Sequence, residues 1–149
     1  MYLMLTTRCN MTCAHCCFSC TTEGSDMSLE TFRQALAHCD SYVTLGGGEP
    51  TLHPRFEQIL CEAIAHPWFD EVGVMVITNG KLKRRALLLA RLARKEVIVA
   101  ELSQDEYHDP IDPEVVQAFG KHIRNVTARH DPAPVGRALV TIHGLDEIP

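Results

Sequence analysis

Short apolar runs alternate with amphipathic stretches along nearly the whole chain, and almost every apolar run ends in a polar or glycine-rich cluster. This alternation predicts strands at Tyr2–Thr7, Tyr42–Leu45, Val72–Ile77 and Val97–Leu102, a fifth around Asn125–Arg129 and a sixth around Leu139–His143. Between them the 3.6-residue period predicts four helices. The first covers Leu29–Cys39 behind a Ser28 cap, with Leu29, Phe32, Leu36 and Cys39 on one stripe. The second begins near Pro54 and buries Phe56, Ile59, Leu60, Ala63 and Ile64, which puts Cys61 as well as Cys39 on apolar helix faces, in the core. The third spans Lys81–Lys95 and buries Leu82, Ala86, Leu89, Ala90 and Ala93, with most of its basic residues in water. The fourth starts at Asp112 and Pro113, with Val115, Phe119 and Ile123 at helical spacing. Strand–helix alternation favours right-handed crossovers and a parallel sheet. The near-continuous apolarity of Val72–Ile77 is that of a strand covered on both faces.

Chemistry collects at the carboxyl ends of these strands, where β/α barrels place their sites. After the first strand come Cys9, Cys13 and Cys16, three thiols that can converge on one face of a loop. Iron–sulfur clusters are held by such thiolates, usually four of them, so three close ones leave an iron open to another ligand. The second strand runs into Gly46, Gly47, Gly48 and Glu49, where glycines allow close backbone approach to a ligand and a carboxylate can accept from an ammonium group. The third ends in Thr78-Asn79-Gly80 and the fourth in Ser103-Gln104-Asp105-Glu106-Tyr107-His108. His53, His108 and Arg137 are rim candidates by position. A zinc site is the competing reading of the thiols, because Cys13-x2-Cys16 and Cys17-x2-Cys20 form two zinc-like pairs. The adjacency of Cys16 and Cys17 makes a single tetrahedral knuckle from both pairs awkward. Cys17 and Cys20 are read without a ligand role.

The Cys-x3-Cys-x2-Cys run resembles the signature of the radical S-adenosylmethionine (SAM) superfamily. Gly-Gly-Glu-Pro at 47–50 and the third- and fourth-strand endings are similar to that family's later motifs, and Pro134–Ala138 to a loop of its molybdopterin-precursor and peptide-maturase branch. The resemblance covers residues 2–138 and is nearer to that branch than to the glycyl-radical activases. It implies a partial, open (β/α)6 barrel of mainly parallel strands, unusually short. It implies a [4Fe–4S] cluster on Cys9, Cys13 and Cys16, with SAM on the open iron. Gly47, Gly48 and Glu49 would position the methionyl end, Glu49 taking the amino group. His15, before the third cysteine, would stack near the adenine, with a fourth metal ligand or a surface residue as its other readings, and Asn79, Ser103 and Asp105 would lie on the ribose side. The implied reaction is reductive SAM cleavage by an external one-electron reductant. The resulting 5′-deoxyadenosyl radical would abstract hydrogen from an unidentified substrate, a peptide or a small molecule. A glycyl-radical activase, and a non-catalytic iron–sulfur or zinc module, are the alternatives.

Composition bounds these readings. A net charge of −5 argues against a general nucleic-acid or anionic-membrane surface. No apolar run reaches the length of a membrane span, and seven cysteines without a secretion signal read as metal or redox chemistry in a reducing cytosol. The expectation is one domain over 1–149, minimal or C-terminally truncated, whose open side a protein partner covers.

Overall fold

Among the described residues, five strands lie in chain order across one sheet, all parallel: β1 (Tyr2–Thr6), β2 (Val43–Gly47), β3 (Val74–Thr78), β4 (Val99–Ser103) and β5 (Ile123–Arg124). The computed structural model describes residues 1–67, 73–124, 135–142 and 144. Helices α1 (Leu29–Ala37), α2 (Phe56–Ile64), α3 (Lys83–Arg94) and α4 (Pro113–Phe119) form the crossovers, and α5 (Arg137–Thr141) follows β5. Both expected caps are made: Ser28 accepts from the Thr31 amide, and Asp112 accepts from the Glu114 amide with Pro113 at the first position.

Strand alternation divides the sheet into two faces. Leu3, Leu5, Val43, Leu45, Val74, Val76, Ala100 and Leu102 pack with Phe32 and Leu36 of α1, Phe56 and Ile59 of α2, Leu89 of α3 and Val115 of α4 in one continuous core. The opposite residues, among them Tyr2, Gly46, Ile77 and Ser103, line a cavity instead. Among the described residues the third strand is therefore covered by helices on one face only, and its apolar Ile77 is cavity wall. This is the arrangement of an open β/α barrel, in which the interior of the sheet is the site.

Three expectations are corrected. Cys39 is core, whereas Cys61 is exposed, because Phe56, Ile59, Leu60 and Ala63 define the buried stripe of α2 and Cys61 lies on the other side. The strand expected at Leu139–His143 is replaced by α5: Gly136 turns at a φ of 55°, and hydrogen bonds from Arg137 and Thr141 to the cysteine loop hold the segment in a helical turn. Its apolar, β-branched composition suits a strand, but tertiary contacts override propensity. The fifth strand begins at Ile123, earlier than expected, and 125–129 lie outside the described residues.

Truncating Leu45, which is fully buried in the second strand, is expected to cost about 2–5 kcal/mol, whereas Cys61→Ala should stay within about 0.5 kcal/mol. Urea denaturation of both variants checks the two faces of the assignment.

Candidate active site

The ends of β1 and β2 are joined backbone to backbone. The Gly48 amide donates to the Thr6 carbonyl at 2.9 Å, and the Glu49 amide to the Arg8 carbonyl at 2.8 Å. A Cβ on Gly47 would come within 2.4 Å of the Thr6 carbonyl oxygen, and one on Gly48 within 2.3 Å of that of Arg8. Gly47 also has a φ of +136°, a conformation that disfavours side chains. These glycines do line the cavity, yet the close approach they permit is to β1 and the segment after it. That is a packing demand beyond the ligand approach expected from sequence.

The join presses the cysteine loop against the sheet. The loop is closed at its base by Thr7 N–H to the Ser25 carbonyl (3.0 Å), Cys9 N–H to the Thr21 carbonyl (2.6 Å), and a two-pronged Arg8–Asp26 ion pair. From the far end of the chain, Arg137 donates to the Cys13 carbonyl at 2.8 Å and the Cys20 carbonyl at 2.6 Å, and its amide to the Cys16 carbonyl at 2.9 Å. Thr141 Oγ1 donates to the Ala14 carbonyl. Arg137 thus braces the loop rather than opening toward a ligand carboxylate. His53 is buried away from the cavity, its Nδ1 accepting from the Arg55 amide and its Nε2 donating to the Met27 carbonyl.

Cys9, Cys13 and Cys16 reach one cavity of about 470 Å³, whose wall also carries His15, Gly46, Gly47, Gly48, Glu49, Asn79, Ser103 and His108. Burial pushes the Cys9 thiol up and the Cys13 thiol to about 11, and the neighbouring thiols add to both shifts. Thiolates crowded this way need a cationic centre to hold them, so the donor set fits a metal cluster and loading must release protons. Cys20 is buried beside Cys9 and Met11, its amide donating to Cys16 Sγ at 3.4 Å, and burial lifts its thiol to about 12. Cys17 is exposed.

Glu49 is fully buried. Its Oε1 accepts from Thr51 N–H (3.1 Å), from the Thr51 hydroxyl and from the Thr78 hydroxyl (2.8 Å), and its Oε2 accepts from Asn79 N–H (2.7 Å). Burial pushes its carboxyl above the usual carboxylate range, while these donors, Asn79 N–H foremost, oppose the shift. With Oε1 taken up, Oε2 keeps the capacity for one further donor from the cavity side. Thr51 and Thr78 are the partners that sequence reading missed; a threonine two residues after a carboxylate is the local turn signal that marks Thr51.

The Asn79 side chain is spent inside the protein, donating to Asn10 Oδ1 at 2.9 Å and toward Cys9 Sγ at 3.6 Å while accepting from Lys81 N–H. Asp105 does not line the cavity. Its buried carboxylate accepts from Tyr107 N–H and pairs with His108 Nδ1 at 2.7 Å, with His15 Nε2 3.4 Å from its other oxygen. The His15 ring lies 5.1 Å from Tyr107 and 5.0 Å from His108. Burial lowers the His15 imidazole, against the pull of Asp105.

Replacing Arg137 with alanine is expected to remove about 1–3 kcal/mol of local stability from the cysteine loop. Alkylation of Cys13 and Cys20 should quicken accordingly, with Arg137→Lys restoring part of the protection. Unchanged alkylation rates would count against the brace.

Residues 3–142 match the family profile of the Radical SAM superfamily. The chain is 28% identical over 155 aligned residues to the mycofactocin maturase MftC of Mycobacterium ulcerans, covering 97% of this chain and 40% of that protein. It is 32% identical to the probable GTP 3′,8-cyclase of Methanosarcina acetivorans, and 32% identical to the subtilosin biosynthesis protein AlbA of Bacillus subtilis. Each of these two alignments covers 70% of this chain, but 34% and 25% of the respective relatives. The chain therefore spans well under half the length of these curated relatives. A crystal structure of BtrN in complex with AdoMet and 2-DOIA shares the fold at a TM-score of 0.59 and 14% identity, over 83% of this chain and 54% of that one. Among the described residues no helix is long and apolar enough to cross a membrane. Family profile, relatives and fold agree with the thiol-and-glycine cavity, and the chain belongs to the radical SAM superfamily, whose cofactors are a [4Fe–4S] cluster and SAM.

Proposed function

We propose that this chain is a radical SAM enzyme core that acts on a peptide or small molecule entering from the open side of the sheet. The observation that carries the reading is the convergence of Cys9, Cys13 and Cys16 with Glu49 and the Gly46–Gly48 backbone on one cavity. When bound, the cluster and SAM supply one-electron cleavage of the sulfonium and a carbon radical strong enough to take hydrogen from an unreactive C–H bond.

The chain's own residues hold and orient. Cys9, Cys13 and Cys16 would bind the cluster as thiolates, and the Arg137 brace and Arg8–Asp26 pair fix the loop that carries them. Glu49 would receive the SAM ammonium on Oε2, its carboxylate already immobilised by Thr51, Thr78 and Asn79. Such a preset acceptor binds without reorganising, which favours one orientation of the ligand. Gly47 and Gly48 would flank the methionyl end. Ser103 on the cavity wall would face the ribose, with Asn79 setting the Cys9 side of the wall rather than offering its amide freely. His15 would present its ring to the adenine, supported from behind by Tyr107. Asp105 would act only through the histidines it holds. The likeness to the bacteriocin biosynthesis protein AlbA supports a peptide substrate, and the likeness to the GTP cyclase a small molecule. An external reductant is required, and a partner or further chain would close the open side.

Anaerobic reconstitution should give one [4Fe–4S] cluster, lost on changing Cys9, Cys13 or Cys16 to alanine and kept in Cys39→Ala and Cys61→Ala. SAM should alter the electron paramagnetic resonance signal of the reduced protein, and Glu49→Ala should weaken that response without removing the cluster. With SAM and a strong reductant, 5′-deoxyadenosine should accumulate slowly in the absence of substrate. A full cluster in the triple cysteine variant, or a SAM-binding protein that yields no 5′-deoxyadenosine, would sink the proposal.

A further inference from the structure

Cys13, His15 and His108 offer one donor atom each, all within 4.8 Å of one another, and none of the three is fully exposed. The Asp105 carboxylate, wholly buried, sits behind both imidazoles. His108 Nδ1 is taken by Asp105 Oδ1, which leaves Nε2 for another partner. His15 Nε2 faces Asp105 Oδ2 at 3.4 Å, which leaves Nδ1, and that nitrogen is buried without a hydrogen bond. A buried polar atom left unpaired costs free energy, so a ligand for it is the simplest account of its position. Asp105 Oδ2 is likewise buried without a hydrogen bond, so it lies beside His15 Nε2 without fixing that ring.

We infer that Cys13, His15 and His108 form a mononuclear site for a borderline divalent cation of the Zn²⁺ class, with Asp105 as the carboxylate that orients His108 and lies beside His15. One thiolate and two imidazoles are the donors such ions select, whereas Mg²⁺ and Ca²⁺ need oxygen ligands. A carboxylate on the far nitrogen of a ligating histidine fixes its tautomer and ring direction, as Asp105 Oδ1 does for His108. A modest inward shift of the three side chains reaches bonds of about 2.0–2.3 Å, with water completing the tetrahedron. The Cys13 proton leaves to solvent as the metal–sulfur bond forms.

Cys13 is also one of the thiols assigned to the cluster, so the two metal centres exclude each other. A Zn²⁺ ion on Cys13, His15 and His108 blocks cluster assembly until it is removed, which makes the site a metal-dependent control on loading. The exclusion rests on the cluster reading; the mononuclear site does not.

Cobalt tests the site alone, with the cluster-free chain of residues 1–149. One equivalent of Co²⁺ should give a thiolate-to-cobalt charge-transfer band, lost in Cys13→Ala, His15→Ala and His108→Ala and kept in Cys9→Ala and Cys16→Ala. Asp105→Asn should weaken Co²⁺ binding about 10–100-fold, as outer-shell changes do. His108→Cys, which preserves a ligand, should bind with a shifted spectrum, and circular dichroism of each variant reports folding. No band in the wild type, or a band that survives loss of both histidines and vanishes with Cys9 or Cys16, overturns the site. For the control, each protein is reconstituted with and without one equivalent of Zn²⁺, and the ratio of cluster-formation rates is compared. Zn²⁺ should slow the wild type and leave the ratio near one in His108→Ala; equal slowing in both overturns the inference. The zinc-free wild-type arm reports cluster formation itself, so failure of the cluster reading is seen separately.

Discussion

The two backbone hydrogen bonds that tie Gly48 and Glu49 to Thr6 and Arg8 set the position of everything on the inner side of the sheet. They extend the β1–β2 pairing past the last regular register, Thr6 opposite Gly47, into segments that carry chemistry on both strands. One segment leads into Cys9 and the other delivers Glu49. A side chain at 47 or 48 would meet backbone oxygen at 2.3–2.4 Å, well inside contact distance, and backbone cannot swing aside as a flexible side chain can. The cysteine loop and the buried carboxylate are therefore in register with each other because the sheet itself continues there.

Glu49 ties this junction to the third strand. A carboxylate with no solvent exposure is costly unless hydrogen bonds replace its water, and here the replacements come from Thr51 on its own turn and from Thr78 and Asn79 at the end of β3. Asn79 then passes the connection on to Cys9 and Asn10, back on the cysteine loop. Loop, glycine turn and third strand end thus form a closed ring of polar contacts around one side of the cavity. Loss of any member strands a buried acceptor or donor elsewhere, so these residues act as a unit.

Much of this was legible in the sequence because it is local. Apolar period gave β1 to β4 and α1 to α4, and the Ser28 and Asp112 caps mark helix starts through bonds made within three residues. The thiol spacing and the Gly–Glu run are equally local signals. Part of what sequence reading missed is set by residues far apart in the chain. Leu139–Ile142 is good strand material, yet residues 137 and 141 bond to carbonyls near residues 13–20, and no window of sequence contains that contact. Asp105 is a local miss: it has the composition of a ribose contact, but its carboxylate turns back to Tyr107 N–H and His108 Nδ1 within its own turn. Cys61 is expected on the apolar face of the second helix, but the stripe formed by Phe56, Ile59, Leu60 and Ala63 turns it outward. Sequence pattern names the segments that bear chemistry, and packing decides which side chains face it.

The Arg137 contacts add a consequence for how the site comes into being. They span 117 to 124 positions and involve three loop carbonyls once the Arg137 amide is included. Closing so long a loop has an entropic cost that only the assembled sheet offsets, since β1 through β5 must already lie side by side for α5 to reach the cysteine loop. Before that stage the loop is held at its base, by Thr7, Cys9 and Arg8, and by Asn79 at Cys9 and Asn10. After it, the carbonyls of Cys13, Cys16 and Cys20 are held from outside, and the loop's freedom to spread its thiols falls. Ordering of the cysteine loop is therefore coupled to completion of the sheet rather than to the thiol motif alone. The Cys-x3-Cys-x2-Cys spacing supplies the donors, and the last described helix, at the other end of the chain, supplies the geometry in which they can act together.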